Sequence, residues 1–185
     1  MDYDCLVTRC QKRDRRAQRQ LYELFKGSLM GICQRYARES AEAEDIFHEA
    51  LVKVFEKITS LKDPQALSGW VRQVVINTAI NQYRTNLKFQ QHDDYTLLED
   101  SNEDHLLILD KLSNDELVKQ INAMPQGYRL VFNLYVVDGY THPQIADMLD
   151  ISVGTSKSQL HAAKKMLRFN LKRVGVHRYE RSAGR

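Results

Sequence analysis

Three groups of side chains have the types and spacing to do chemistry. Asn77, Asn81 and Arg84 recur at intervals of four and three, close to Trp70 and Tyr83, so on a helix they fall near one face. Amides and a guanidinium beside aromatic rings suit an unpaired nucleic-acid base, whose edges are free to hydrogen-bond and whose faces are free to stack. Spacing alone favours a plainer alternative, in which the polar groups are merely solvated and Trp70 belongs to a core. A second group, Thr155, Lys157, Ser158, Gln159, His161, Lys164 and Lys165, follows Ser152. Hydroxyls and an amide reach base edges in a major groove, while ammonium groups take phosphates. The alternative here is an ordinary amphipathic terminal helix with a solvated basic face. The third group, Glu44, Asp45, His48 and Glu49, sets carboxylates and an imidazole within two turns of a helix. Asp45 shares a face with His48 and with Glu49, as helical metal ligands do. No second helix offers matching ligands and no glycine loop is present to cradle a phosphate, so catalysis lacks a convergent site. The expectation is a protein that is no enzyme and needs no metal or other cofactor.

Helices must position these groups. Leu21, Leu24, Phe25, Leu29, Ile32, Cys33 and Tyr36 recur at three- and four-residue spacing, an apolar stripe of helical period. Ser40 reads as the cap of a second long helix, with Glu42, Glu44 and Asp45 in a first turn that favours acids. Its broad apolar face comprises Ile46, Phe47, Ala50, Leu51, Val54, Phe55 and Ile58. Asp63-Pro64 reads as a cap followed by proline at the first helical position. The helix it opens carries Leu67, Trp70, Val71, Val74, Val75, Thr78 and Ala79 and runs to Tyr83 or Arg84. A short helix near Asp4 to Arg13 completes a group of three or four helices with a shared core. Beyond about Lys88 the periodicity weakens until Ser113-Asn114-Asp115-Glu116, a capping-box spacing, with a brief turn expected at Leu106–Leu109. Met124-Pro125 ends one helix and opens another, which Gly139 closes. Thr141-His142-Pro143-Gln144 is a second capping box. After a turn at Leu149-Asp150-Ile151, Ser152 caps the final helix, giving the spacing of a helix-turn-helix.

Composition and charge agree with that organisation. Apolar residues make up 43% of the 185, enough to build cores, which argues against a disordered chain. Eight Gly and three Pro supply too few turns for an all-β fold. Cys5, Cys10 and Cys33 are odd in number and form no CxxC, so neither a disulfide framework nor a zinc site is expected. The acidic start Met1-Asp2-Tyr3-Asp4 is unlike a signal peptide, and no apolar run approaches membrane-spanning length. A cytoplasmic protein without membrane insertion is expected. The net charge of +3 conceals a partition. Residues 1–89 hold 15 Lys/Arg against 11 Asp/Glu, residues 90–116 one against nine, and residues 117–185 eleven against four. Basic blocks release counterions from nucleic-acid phosphates, and here an acidic segment separates two of them.

Several of these residues resemble a family. Ala43-Glu44-Asp45-Ile46 with Glu49-Ala50 and Val54-Phe55 is similar to the polymerase-binding helix of bacterial RNA polymerase sigma factors. Leu67-Ser68-Gly69-Trp70-Val71 followed by Ile76-Asn77-Thr78-Ala79 resembles their promoter-melting segment. Ile145-Ala146, Ile151-Ser152-Val153-Gly154-Thr155 and Lys157-Ser158 resemble their C-terminal helix-turn-helix. The resemblance spans roughly residues 10–170 in the expected order, and the small size points to the extracytoplasmic-function (ECF) group of the sigma-70 family. It implies an all-α protein of two small helical domains joined by an acidic linker. Residues 1–88 would bind polymerase and melt the minus-ten element, 89–113 would be the linker, and 114–174 would read the minus-thirty-five element. Residues 175–185 would be a disordered basic tail. The implied partners are core RNA polymerase, promoter DNA as duplex and as melted non-template strand, and an anti-sigma factor, with the free protein a monomer. Glu44, Asp45, His48 and Glu49 would dock on a polymerase coiled coil. Ser60, Lys62, Trp70, Asn77, Asn81, Tyr83 and Arg84 would capture the melted strand, with Asn77 in the pocket for a flipped base. Ser152, Thr155, Lys157, Ser158, Gln159, His161, Lys164 and Lys165 would face the minus-thirty-five duplex. The acidic linker would thread the RNA exit path, standing in for RNA against basic walls.

The chain departs from the family pattern in places. Gln159 and Ala162 stand where relatives carry Arg, and Ser156 stands where an apolar residue is usual, an exchange expected to loosen packing. Asp150 takes a turn position often held by Gly, which Asp tolerates because it adopts left-handed backbone. The competing function is a stand-alone helix-turn-helix regulator acting as a dimer on paired half-sites. That alternative explains the C-terminal segment equally well and leaves Asn77 to Arg84 and the Glu44-Asp45 helix without a role.

Overall fold

The computed structural model describes residues 3–89 and 114–183, and no strand occurs among them. The protein is all-helical and divides into two compact units, Met1–Gln91 and His92–Arg185. The expected acidic linker, its turn at Leu106–Leu109 and the Ser113 cap fall on residues outside those described.

The first unit has four α-helices, α1 (Tyr3–Gln11), α2 (Arg15–Tyr36), α3 (Ser40–Lys57) and α4 (Leu67–Phe89). The apolar stripe of α2 is buried from Ala17 through Leu21, Phe25, Leu29, Ile32 and Cys33 to Tyr36. It meets Ala43, Ile46, Phe47, Ala50, Leu51 and Val54 of α3 and Leu67, Val71, Val75, Ile76, Ala79 and Ile80 of α4. Each fully buried large aliphatic chain contributes roughly 2 kcal/mol, which decides the fold over the low helix propensity of the β-branched residues in α4. Asp14 caps α2, its Oδ1 accepting the Arg16 and Ala17 N–H groups at 2.8 and 3.2 Å. Its Oδ2 takes the Arg9 guanidinium at 2.8 Å, and Arg13 turns the corner in left-handed backbone at φ 61°.

Two local expectations are corrected. Glu39, extended at φ −146° and ψ 169°, is the cap residue of α3 and makes no side-chain cap bond. Ser40 is therefore already the first helical residue. Glu42 instead folds back to accept the Arg38 N–H and the Asn86 amide of α4 at 3.4 Å. Asp63 does cap, accepting the Gln65 N–H at 2.9 Å, but Pro64–Ala66 is a 3-10 turn and α4 starts only at Leu67. With the 3-10 turn Ile58–Ser60, it makes the α3–α4 connection a defined segment rather than a helix start.

The second unit comprises α5 (Asn114–Asn122), α6 (Gln126–Phe132), α7 (His142–Leu149) and α8 (Val153–Ala183). Pro125 caps α6, and the helix continues through a π turn over Asn133–Val137, whose wider winding appears as an Asp138 N–H to Asn133 C=O bond of 2.9 Å. Gly139, at φ +77°, reverses the chain where a Cβ would be strained. Gln144 Oε1 accepts both the N–H and the hydroxyl of Thr141 at 2.9 Å, the reach-back half of a capping box. Asp150 ends α7 in the left-handed region, φ 58° and ψ 46°. The backbone stays helical to Ala183, across most of the stretch expected to be a disordered tail. Among the described residues no helix is long and apolar enough to cross a membrane.

Candidate nucleic-acid interface

In α4 the core side chains leave one outward face. Gln73, Asn77 and Asn81 are exposed and Trp70 and Arg84 half-buried, while Ile76, Thr78, Ala79 and Ile80 between them are buried. At 100° per residue Trp70, Gln73, Asn77, Asn81 and Arg84 fall within a sector of about 80°. Gln73 Nε2 donates to Asn77 Oδ1 at 3.2 Å, which orients the amide. Gln73 joins this stripe beyond the residues expected from the sequence, its position one turn before Asn77 being the signal that places it there. Tyr83 lies about a third of a turn away, half-buried, and burial raises its phenol above the ordinary value. Ser60 and Lys62 are exposed on the α3–α4 segment, the Ser60 hydroxyl donating to the Lys57 carbonyl at 2.7 Å.

Glu44, Asp45, His48 and Glu49 are all exposed on α3, opposite its buried apolar face. Glu49 pairs with Lys53 at 2.6 Å. Val52, 56% exposed, stands one turn beyond His48, so the outward face mixes acids with an aliphatic group. Among the described residues no cluster of His, Cys, Asp and Glu has the form of a metal site.

In the helix-turn-helix, Ser152 caps α8, accepting the Thr155 N–H at 2.9 Å, and its hydroxyl lies 2.8 Å from that of Thr155. The Ser158 hydroxyl donates to the Thr155 carbonyl at 3.0 Å. These hydroxyls hold the start of the helix. Lys157, His161 and Lys164 are exposed at intervals of four and three and form its outward stripe. Lys165 is half-buried. Gln159 is half-buried too, its amide 3.4 Å from where a Cβ on Gly127 would sit, so it faces α6 and stands apart from that stripe. Lys164 Nζ lies 5.8 Å from the Tyr135 ring centre. Tyr135 stacks on His142 at 4.6 Å, and His142 Nδ1 lies 2.9 Å from the hydroxyl of fully buried Ser156. Ser156 does not loosen the packing, because a histidine from the facing helix satisfies its hydroxyl.

Comparison with known proteins agrees with this arrangement. Residues 21–88 match the family described as Sigma-70 region 2, and residues 114–167 match Sigma-70, region 4. The sequence is 25% identical over 173 residues to the ECF RNA polymerase sigma-E factor of Escherichia coli K12, covering 88% of this chain and 90% of that protein. The Haemophilus influenzae protein of the same name is 24% identical, with 88% and 91% covered. Two solved structures share the fold. CnrH in complex with the cytosolic domain of CnrY has a TM-score of 0.50 at 17% identity, covering 92% of this chain and 98% of that one. The sigma factor RpoE of Bartonella quintana, in complex with the anti-sigma factor NepR, has a TM-score of 0.52 at 23% identity, with 83% and 96% covered.

Proposed function

The chain belongs to the sigma-70 family as an ECF sigma factor, a non-enzymatic protein that directs transcription initiation with RNA polymerase, and from that premise we propose that its first unit opens the promoter while its second grips duplex DNA. The amide stripe of α4 carries this reading. A merely solvated helix face is built from Lys, Glu and Arg, which favour helix. Asn at positions 77 and 81, in mid-helix, each costs roughly 0.5 kcal/mol relative to better helix formers. A local rule broken on an exposed face marks a site under functional demand.

Asn77 supplies edge hydrogen bonds to a base flipped from the non-template strand of the minus-ten element, offsetting the few kcal/mol of unstacking. Asn81 and Arg84 support the strand, Trp70 offers a stacking face, and Ser60 and Lys62 line the approach. Tyr83 contributes from the flank. Glu44, Asp45, His48 and Glu49, with Val52, dock on core polymerase. Lys157, His161 and Lys164 lie toward the minus-thirty-five duplex, with Ser152, Thr155, Ser158, Gln159 and Lys165 shaping or flanking that face. The protein works in the cytoplasm, is monomeric when free, and is held by an anti-sigma partner, a mode supported by the anti-sigma complex in which the Bartonella quintana fold relative occurs.

The test is in vitro transcription with purified bacterial core polymerase on fragments of the source genome. Discrete initiation that requires the protein and falls at least tenfold with Asn77→Ala supports the proposal. A dimer that binds paired duplex sites tightly by itself, without stimulating polymerase, would replace it with the stand-alone regulator.

A further inference from the structure

Helix α1 precedes the segment matched to Sigma-70 region 2, which begins at residue 21, yet it holds the α3–α4 segment at both ends. Gln11, at the last turn of α1, donates its Nε2 amide to two backbone carbonyls, Ile58 at 3.1 Å and Leu61 at 3.2 Å. At the other end Asp4 Oδ2 accepts the Gln65 Nε2 amide at 3.0 Å. Gln11 lies seven positions along the helix from Asp4, about 10 Å of rise, so α1 lies along the segment as a splint. Leu6, Val7 and Cys10 anchor the splint in the core. The segment is anchored at its start by the buried Ile58 and Leu61 side chains, while Thr59, Ser60, Lys62 and Asp63 are exposed, so its backbone there is fixed by its own turns and by Gln11. Both carbonyls bound by Gln11 flank the exposed Ser60, so the side chain that closes this gap also sets where Ser60 and Lys62 point.

We infer that Gln11 is a positioning residue for base capture, presetting the 58–66 segment so that the captured base is discriminated, without itself touching DNA. The inference rests on the proposed capture of a base by this segment and α4. Discrimination between bases needs polar groups fixed in place, because groups free to move can adjust to the wrong base as well as to the right one and so narrow the difference between them. One amide donating to two carbonyls is a donor-specific device. A carboxylate of the same shape removes both bonds and repels both oxygens, and a methionine of similar length fills the space without donating.

The experiment measures binding of fluorescent non-template oligonucleotides to holoenzyme assembled from core polymerase and the full chain, with each of the four bases placed in turn at every minus-ten position. Melting temperatures of the free variants are recorded alongside, and binding is measured well below them. The wild type is expected to prefer one base at one position. Gln11→Glu and Gln11→Met are both expected to lower that preference about tenfold, the size of two lost hydrogen bonds, with core-polymerase affinity unchanged. Asp4→Ala, removing the exposed tether, is expected to lower it about twofold. A wild-type holoenzyme with no base preference would remove the capture reading itself. A wild type with a clear preference that Gln11→Met retains in full would overturn the inference alone, even if the variant melts at a lower temperature. Should Gln11→Glu fail to fold, the Met variant decides.

Discussion

Single residues show how far polar groups in this protein depend on one neighbour. The Ser156 hydroxyl is buried and meets His142 Nδ1. Ser156→Val, which restores the apolar residue usual in the family, should destabilise the second unit by about 1 kcal/mol, because it leaves the imidazole nitrogen short of its partner. A double-mutant cycle with His142→Leu, read by urea denaturation, should show that the two losses do not add. The thiols divide by burial. Burial pushes Cys33 up to about 12 and Cys10 up to about 11, so neither offers thiolate near neutral pH, while Cys5 is exposed. Alkylation of the native protein at pH 7.5, more than three units below either buried thiol, followed by mass spectrometry, should modify Cys5 alone. Comparable labelling of Cys10 or Cys33 without denaturant would contradict the packing of α1 and α2.

Helix ends carry the next level of control. Asp14 joins α1 to α2, and its carboxyl is held below the ordinary value first by the hydrogen bond from Arg9 and then by the backbone N–H groups of the α2 cap. A depressed carboxyl contributes stability that is fully present above its unfolded value of about 3.9 and is lost as pH falls through the lower folded value. Asp14→Ala should therefore melt below the wild type at pH 7, and the two curves should converge as the pH falls through the depressed folded value and the wild-type carboxyl protonates. At the end of α7, Asp150 takes left-handed backbone at φ 58°. Asp150→Val, β-branched and unsuited to that region, should cost the second unit about 1–2 kcal/mol, whereas Asp150→Gly should be tolerated. Along α8 the outward stripe predicts salt dependence. Lys157→Ala and Lys164→Ala should each lower the slope of log affinity against log salt by about 0.9 on minus-thirty-five duplex, if each lysine neutralises one phosphate. Lys119→Ala, on α5, should leave the slope unchanged.

Across the whole molecule the charges are partitioned. Two basic blocks bracket a stretch with one base and nine acids. An acidic stretch in the same chain as two basic units lowers their attraction for any phosphate surface, which suits a protein meant to meet promoters together with polymerase. Replacing Asp93, Asp94, Glu99, Asp100, Glu103 and Asp104 by their amides removes six negative charges from a chain of net charge +3. The free variant should then bind non-promoter duplex at least tenfold more tightly at low salt, with the gain disappearing near half-molar salt as screening shortens to a few ångströms. Fluorescence anisotropy without polymerase reads this directly, and an unchanged affinity would show that the acidic segment does not restrain the basic units.

The sequence by itself determined the helical class and the helix-turn-helix, because apolar periodicity, caps and turn residues act over three to seven neighbouring positions and leave their pattern in the chain; the family was legible separately, through the resemblance of its short motifs. Leu21 to Tyr36, Thr141-Gln144 and Asp150 were legible for that reason. Tertiary structure decided everything that required one segment to meet another. It showed that Glu39 rather than Ser40 is the cap residue of α3 and that Gln159 faces Gly127. It also paired His142 with Ser156 and brought Gln11 to carbonyls 47 and 50 residues away. A hydrogen bond acts only within about 3 Å, and sequence spacing beyond a helical turn or two holds no information on which groups come that close.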